Sequence, residues 1–472
     1  MRAFFLSIVL FIVGAVCLGN ADALNLKTKQ GLALFGGGYP QALVLNGGII
    51  APNTINFTQN IGKLQNTGIV PATSIITVTR ASPHTCSDTS GNWYSVGNNV
   101  LCQTNRGALI EEARINVTRN NSITGAAAGS PGTLPTNWVQ NIAPTGLTRT
   151  ISLTTTNGIP TISINYAGTT TSTAIIQLLL DAANVAAASS GQTWTTSGFI
   201  QIGSDPSVTS VFLEGQGTNG TSQTETFASS NLENQSSFAR VSGTGTLAQG
   251  TTTDIRQQII TNSISSGTTI NWTLTLGWPQ LELNPGSVGY ASSPIVTSGS
   301  AVTRAADGPP VFVNVPVIGS KFFEYVSIIP LAPTNYTAAQ ELLEISDSST
   351  TNRGNLTRTS ANGYGQQNGA GNVTAVSAGY NGGTSATTTL ATGAISKTAG
   401  TFTTTGAMNK ISIGGEENGA AYCNCYVQKL AIDPQNNGYS PTGVTSGPGS
   451  FLFERDIPAN DNFPRWFADK AA

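Results

Sequence analysis

Hydrophobic and polar residues alternate over several long stretches of the chain. In segment 270–278, Ile270, Trp272, Leu274 and further apolar residues take every second position, with Asn and Thr between them. The segments 162–166 and 311–317 show the same period of two. This period is typical of a β-strand with one buried face. We therefore expect half-buried strands, with Trp194, Trp272 and Trp278 packed in cores.

Turn signals separate these apolar segments and favour short antiparallel strands. Asn-Gly pairs, which suit tight hairpin turns, occur at positions 157–158, 362–363, 381–382 and 418–419. Many short strands with regular turns predict an all-β fold of packed sandwiches rather than βαβ units. One stretch departs from this pattern: residues 338–345, with Gln340, Glu341 and Glu344, predict a short helix.

Composition excludes several classes of function. Charged residues make up 9% of the 472 residues and the net charge is -2, against about 25% charged residues in a typical domain. Without a basic surplus to neutralise phosphates, we expect no nucleic-acid partner. The single histidine, His84, cannot build a multi-histidine metal site within one chain. Its position in a turn beside Cys86 does not favour a general base.

The N-terminus has the pattern of a secretory signal peptide. Arg2 supplies a positive charge, residues 3–18 are nearly all apolar, and Ala21-Asp22-Ala23 fits the small-residue cleavage pattern. We expect cleavage before Leu24 and an extracellular location. An uncleaved anchor is the alternative. No later stretch approaches the length of a membrane span.

Four cysteines follow the signal segment. The spacing of Cys86 and Cys102, with Gly91 and Asn92 between them, suits a disulfide across a hairpin. Cys423 and Cys425 leave two alternatives open: two half-buried thiols on one strand, or one short bridge.

Six short motifs occur in an order that resembles a known family. They are TRAS at 79–82, RGALIEEARIN at 106–116, GQTWTTS at 191–197, GWPQLEL at 277–283, YASSPI at 290–295 and SAVTRAAD at 300–307. The set resembles bacteriophage virion-surface proteins of the tail-fibre or head-spike type. The resemblance implies a carbohydrate-binding-like jelly roll followed by a concanavalin A-like, laminin-G-type jelly roll. It also implies that residues 175–188, although rich in Ala and Leu, form strand and loop.

The expected organisation is two consecutive antiparallel jelly-roll sandwiches preceded by a β-rich N-terminal region. The expected segments are a signal peptide at 1–23, the β-rich region at 24–105, the first jelly roll at 106–300, a linker at 301–310, the second jelly roll at 311–440, and an irregular tail at 441–472. The linker is expected because two prolines after Gly308 do not suit a central strand.

Sugar-binding proteins use aromatic faces and planar amides or carboxylates, and this defines the candidate ligand residues. Tyr364, Tyr380 and Tyr422 stand in Gly- and Asn-rich surroundings, which suits exposed rings. Gln280 and Glu282 share one strand face, where they either line a ligand groove or hydrogen-bond neighbouring strands.

Acidic residues supply no convincing catalytic or metal site. Glu111 and Glu112 point to opposite sides of a strand, so we expect one to be solvated and the other paired with Arg114 or Arg304. No catalytic residue and no cofactor is predicted. Calcium ligation, for which the candidates are Asp347, Asp433 and Asn436, is left open beside solvated loop positions.

The expected function is non-catalytic: a spike, fibre or decoration protein of a virion that contacts glycans on a host surface. The expected partners are a cell-surface polysaccharide, other virion proteins and further copies of the chain, with a trimer by analogy to fibres. Three alternatives stay open. They are a secreted bacterial lectin or adhesin of prophage origin, a lattice or filament subunit, and a polysaccharide depolymerase.

Overall fold

The structure is a computed structural model that describes most of the central chain and parts of both ends. The described residues are 44–45, 49–50, 53–63, 71–182, 186–312, 323–333, 336, 339–346, 353–359, 364–368, 372–375, 410–416, 419 and 421–433. They contain thirty β-strands and two short 3-10 helices, which confirms the predicted all-β class. No helix within these ranges is long and apolar enough to cross a membrane.

The strands are numbered in chain order. The first ten are β1 (Val44–Leu45), β2 (Ile49–Ile50), β3 (Asn53–Asn56), β4 (Ile61–Lys63), β5 (Ile76–Thr79), β6 (His84–Ser87), β7 (Trp93–Val96), β8 (Cys102–Thr104), β9 (Gly107–Ile110) and β10 (Arg114–Asn116). The 3-10 helices are Phe57–Gln59 and Ala72–Ser74.

The next twelve are β11 (Val139–Ile142), β12 (Leu147–Thr156), β13 (Ile159–Thr169), β14 (Gln177–Leu179), β15 (Ala186–Ala187), β16 (Thr193–Ile202), β17 (Val211–Thr218), β18 (Gln223–Ala228), β19 (Ala239–Thr246), β20 (Asp254–Thr261), β21 (Thr269–Asn284) and β22 (Val302–Arg304). The last eight are β23 (Gly308–Phe312), β24 (Phe323–Pro330), β25 (Ala339–Ser346), β26 (Arg353–Thr359), β27 (Tyr364–Asn368), β28 (Asn372–Ala375), β29 (Lys410–Ile413) and β30 (Cys425–Asp433).

Two antiparallel sheets pack face to face between residues 139 and 284 and form the central sandwich. One has the order β11-β14-β20-β17-β18, with β15 also on β20, and the other has the order β12-β13-β21-β16-β19. Alternate residues of both sheets fill one apolar core, which includes Ile164, Leu213, Ile259 and the fully buried Trp272. The alternating segments predicted at 162–166 and 270–278 are strands β13 and β21. The jelly-roll connectivity stays a prediction.

Strands from the two ends of the described chain share a second pair of sheets, here called the terminal unit. Strand β5 pairs with β23, whereas β3 and β9 both pair with β30. Their apolar side chains form one core, including Ile55, Ile110, Leu343, Ile413 and Val427. The expected domain boundaries at 105 and 311 therefore separate strands that are hydrogen-bonded neighbours. In sequence, the central sandwich lies between the two segments that form the terminal unit.

Two local predictions are wrong. Residues 339–346 form strand β25 instead of a helix, because pairing with β26 and β29 buries residues such as Leu343 and Ile345 in the sheet and overrides helix propensity. The predicted linker at 301–310 contains β22 and most of β23. Strand β23 accommodates Pro309 and Pro310 because its register with β5 shifts between Gly308 and Val311, so these positions skip the regular ladder.

Residues 175–182 and 186–188 form strand and loop, as the resemblance implies, with β14 in the first range and β15 in the second. Trp194, Trp272 and Trp278 are all buried, in line with the expected core packing.

Candidate functional site

Motif residues far apart in sequence meet where the terminal unit joins the central sandwich. Strand β10 pairs with β22, which places Arg114 opposite Arg304. Arg80 follows the end of β5 and Glu111 follows the end of β9. Asp307 precedes β23 and bonds to both segments, since its carboxylate accepts from Arg80 Nη1 at 2.6 Å and from Glu111 N at 2.8 Å. The TRAS, EEAR and TRAAD motifs thus assemble one site.

Five charged or titratable side chains form this site, here called the junction network: Arg80, His84, Glu111, Arg304 and Asp307. The Glu111 carboxylate lies 3.0 Å from His84 Nε2 and 3.0 Å from Arg304 Nη1. The other ring nitrogen of His84 lies 3.4 Å from Asp307. All five side chains are buried, and each charge has an opposite charge within reach.

Burial and ion pairing shift the pKa values of the network in opposite directions. Burial alone lowers the pKa of His84, but the charge of Asp307 and hydrogen bonds to Asp307 and Glu111 outweigh it, so this pKa is raised. Burial alone raises the pKa of Glu111, but Arg304 and His84 bring it well below its usual range. The pKa of Asp307 is lowered against its burial by His84 and Arg80. The network therefore places the His84 ring between two carboxylates that favour its charged form, with Arg80 Nη1 3.3 Å from Nδ1.

Arg114 forms a second buried contact beside the network. Its guanidinium lies 4.8 Å from the ring centre of Tyr290 and 5.4 Å from that of Tyr336. It donates to Glu112 Oε1 at 2.9 Å and to Asn284 Oδ1 at 2.8 Å. Because Tyr336 follows the terminal unit's β24 in sequence and Asn284 ends β21, Arg114 ties the two units together.

The two carboxylates of the EE pair are both ion-paired. Glu111 pairs with Arg304, as one expected alternative has it, while Glu112 pairs with Arg114 and is not a solvated group. The expectation of one free carboxylate is therefore wrong, because both sides of this segment face cationic partners.

Trp93 makes a third contact between the units. Its ring lies edge-on to Phe199 at 5.5 Å and to Trp278 at 6.3 Å, and the backbone N–H of Trp93 donates to the backbone oxygen of Asn157 at 3.0 Å. Trp93 belongs to the β6–β7 hairpin, which the Cys86–Cys102 disulfide ties to β8. The hairpin thus connects both units.

The second cysteine pair is also bridged. Cys423 and Cys425 form a disulfide around Asn424, whose φ is 46°. Asn424 is fully buried, and its side-chain oxygen accepts from Glu112 N at 3.0 Å. Of the two alternatives left open, the structure has the short bridge, which presents Asn424 to the junction.

Gln280 and Glu282 are buried inside the junction and do not line a groove. The Gln280 side-chain oxygen accepts from Ile295 N at 2.6 Å, and Glu282 accepts from Ser292 N and its hydroxyl. Both residues have 0% exposure. The ligand-groove alternative for them is wrong, because the 290–295 segment covers their strand face and takes up their polar atoms.

The tyrosine and calcium candidates fall mostly outside the described residues. Tyr380, Asp347, Asn436 and the side chains of Tyr364 and Asp433 lie outside them. Tyr422 is half-buried against the core of the terminal unit, and burial raises its pKa. Within the described ranges, no group of three or more His, Cys, Asp or Glu residues could hold a metal ion.

The outer face of the β11-containing sheet carries a row of planar polar groups that the sequence analysis did not find. Asn141 donates to Gln177 at 2.6 Å, Gln177 donates to Gln258 at 2.7 Å, and Gln258 donates to Glu214 at 2.7 Å. A second row runs beside it, in which Arg256 Nε donates to Gln216 Oε1 and Gln216 donates to Gln223, both at 2.6 Å. We call these seven residues the amide face. Gln177, Gln216 and Gln258 are buried, Glu214 and Arg256 are partly exposed, and Asn141 and Gln223 are exposed.

The feature of the sequence that could have indicated the amide face is the alternation of inward and outward residues along each strand. On β17, Val211 and Leu213 point inward, so Phe212, Glu214 and Gln216 point outward together. Sequence alone gives few cues to this face, because its amides are spread over five strands that only the register brings side by side.

The opposite outer face of the sandwich carries hydroxyls and amides without this network of planar groups. Ser163 and Thr275 share a hydrogen bond of 2.8 Å, and Asn165 donates to Asn271 at 2.8 Å. We call this the hydroxyl face, defined by Ser163, Asn165, Asn271, Thr273 and Thr275.

Comparison of the chain with protein-family models, with curated proteins and with solved structures gave no match. The resemblance to phage virion-surface proteins stays a prediction carried by the motifs themselves.

Proposed function

We propose that the chain is a non-catalytic surface protein of a virion, a spike, fibre or decoration component, that contacts glycans on a host surface. The observation that carries this proposal is the convergence of the motifs. Arg80 and Asp307 are 227 positions apart in sequence and lie 2.6 Å apart in space. Motifs that are far apart in sequence thus contact one another in the folded chain. This supports reading them as one set, which is the basis of the family resemblance.

The chemistry of the junction supports a structural role for it. His84, Glu111 and Asp307 would be the obvious acid–base set, yet each is buried and ion-paired within the network. A general base must reach a substrate proton within hydrogen-bond distance. Side chains enclosed in this way position strands instead of reaching a substrate.

The glycan part of the proposal is supported by the surface chemistry of the central sandwich. Its outer faces present amides and hydroxyls, with few charges. Polyhydroxyl ligands exchange hydrogen bonds with such groups, and weak single sites gain strength when an assembly presents many copies.

The test is mass spectrometry on extracellular particles purified from the source culture, compared with the particle-free medium. We expect the chain to co-purify with capsid proteins through a density gradient, at a fixed ratio to them. Detection only in the particle-free fraction would contradict the virion proposal and favour a secreted adhesin. Release of reducing ends from capsule by the purified chain would contradict the non-catalytic proposal and favour a depolymerase.

A further inference from the structure

We propose that the accessible residues of the amide face, Asn141, Glu214, Gln223 and Arg256, form the glycan-binding site and that its ligand is a neutral polysaccharide. This inference rests on the proposed function and assigns it to a surface. The amide face lies on the opposite side of the β11-containing sheet from the core of the central sandwich, and none of its seven residues belongs to the motifs that build the junction.

The register brings the planar groups of this face together. Gln258 of β20 stands opposite Glu214 of β17 and opposite Leu179 of β14, while Gln216 stands opposite Arg256. The amide donors all run in one direction, from Asn141 through Gln177 and Gln258 to Glu214. Chains of aligned hydrogen bonds polarise one another, so this row holds the Glu214 carboxylate in a fixed position.

Two charges on the face have no countercharge. Among the residues that the structure describes, neither Glu214 nor Arg256 has an ion-pair partner, although both are partly buried. Burial raises the pKa of Glu214 against its hydrogen bond from Gln258, and burial lowers the pKa of Arg256. Partial desolvation without pairing is costly unless another group supplies the missing hydrogen bonds. A carboxylate and a guanidinium are both suited to two-point contact with neighbouring hydroxyls.

Apolar side chains border the polar rows. Phe212 and Ile260 are partly exposed in the strand row next to Gln258, and Val139 and Ile142 are 37% and 39% exposed on the neighbouring edge strand β11. Sugar rings offer C–H faces beside their hydroxyls, and an aromatic or aliphatic surface packs against them. The face therefore offers both kinds of contact that a pyranose chain requires.

The charge balance selects a neutral ligand. Glu214 and Arg256 contribute one negative and one positive charge, which leaves the two polar rows without net charge. An anionic polysaccharide would gain from Arg256 but would meet Glu214 in the adjacent row. A neutral chain meets no such repulsion and satisfies both groups by hydrogen bonding.

The experiment measures binding of the full chain to immobilised polysaccharides by biolayer interferometry. The neutral probes are dextran, mannan and galactan, and the anionic probes are alginate and hyaluronan. The test variants are Glu214→Gln, which keeps size and planarity, and Arg256→Gln, which keeps a planar N–H donor on a shorter side chain. The controls are Glu233→Gln, which makes the same charge change away from the face, and Thr275→Ala on the hydroxyl face. Thermal unfolding checks that each variant remains folded.

We expect wild type to bind at least one neutral probe, and each test variant to weaken this binding about tenfold, the loss for one hydrogen bond to a charged group. The two controls should bind like wild type. Wild-type binding that survives both test variants, is lost in Thr275→Ala, or is confined to the anionic probes would overturn the inference while leaving the proposed function standing. Failure of wild type to bind any probe would overturn both the inference and the glycan part of the proposed function.

Discussion

The junction network and the amide face are both rows of hydrogen-bonded polar side chains, but they differ in how their charges are paired. In the junction, Glu111 contacts both His84 and Arg304 and is fully buried. On the amide face, the Glu214 carboxylate accepts a hydrogen bond from Gln258 and is partly exposed. The pKa of Glu111 is accordingly lowered, whereas the pKa of Glu214 is raised. A network whose charges are all paired stabilises the fold, whereas a network with unpaired charges keeps hydrogen-bonding capacity for a ligand.

This contrast separates the residues that build the architecture from those that would select a ligand. Four residues of the motifs form ion pairs with one another at the junction: Arg80, Glu111, Arg304 and Asp307. Glu214 lies in none of the motifs. The motifs therefore mark the junction and do not indicate which residues would bind a ligand.

The largest expected effect is that of Glu111→Gln. The change leaves Arg304 and His84 buried beside a neutral amide, and losing one partner of a buried ion pair costs about 3–5 kcal/mol. Urea denaturation monitored by tryptophan fluorescence measures the free energy of unfolding. A loss below about 1 kcal/mol would mean that the network adds little to the stability of the junction.

Arg114→Lys should lower the free energy of unfolding by about 2 kcal/mol. A lysine keeps the charge but lacks the planar guanidinium that contacts the rings of Tyr290 and Tyr336 and donates through separate nitrogens to Glu112 and Asn284. The same denaturation assay measures the change. A matched surface change, Arg119→Lys at its partly exposed pair with Asp181, should cost less than about 1 kcal/mol.

The junction network should make the free energy of unfolding fall at both high and low pH. Because the folded-state pKa of His84 is raised, its contribution is complete below about pH 6.5 and is lost as the pH rises through the folded value. Because the pKa values of Glu111 and Asp307 are lowered, their contribution is complete above about pH 4.3 and is lost as the pH falls through the folded values.

Denaturation of wild type and His84→Gln across pH 4 to 9 measures this profile. The groups facing His84 are Arg80, Glu111, Arg304 and Asp307, and the lowered pKa values of the two carboxyl groups place their titration below this window. The decline of wild-type stability over that window should be shallower in His84→Gln. Parallel profiles for the two proteins would contradict a charged His84.

The smallest expected effect is that of Glu214→Gln on stability. Burial raises the pKa of this carboxyl because it penalises the charged form, and a neutral amide avoids that desolvation cost. The free energy of unfolding should stay equal or rise, within about 0.5 kcal/mol. A loss as large as that of Glu111→Gln would show that the amide face is a structural network like the junction.

The sequence predicted the strands of the central sandwich well, because their outer faces are polar and their inner faces apolar. Segments 162–166 and 270–278 alternate cleanly and are β13 and β21. It failed at 339–346, where β25 is paired on both sides, so that most of its residues are buried and the period of two is lost. Register and pairing between distant segments decide such strands, and neither is a local property.

The candidate site was harder to predict for the same reason. Gln280 and Glu282 share a strand face as expected, but the 290–295 segment that covers this face cannot be placed from strand period alone. His84 looked like a turn residue beside a cysteine, since its partners Glu111 and Asp307 are 27 and 223 positions away. Long-range contacts assemble both the junction and the amide face.

The central claim is that the two ends of the described chain form one structural unit, joined to the central sandwich at the junction. Amide hydrogen exchange on the full chain, read by peptide mass spectrometry, tests it most directly. The account predicts that the interior amides of β5 and β9 are protected as strongly as those of β29 and β30, and that Glu111→Gln lowers protection in all four strands together. Fast exchange in β5 and β9 while β29 and β30 stay protected would contradict it.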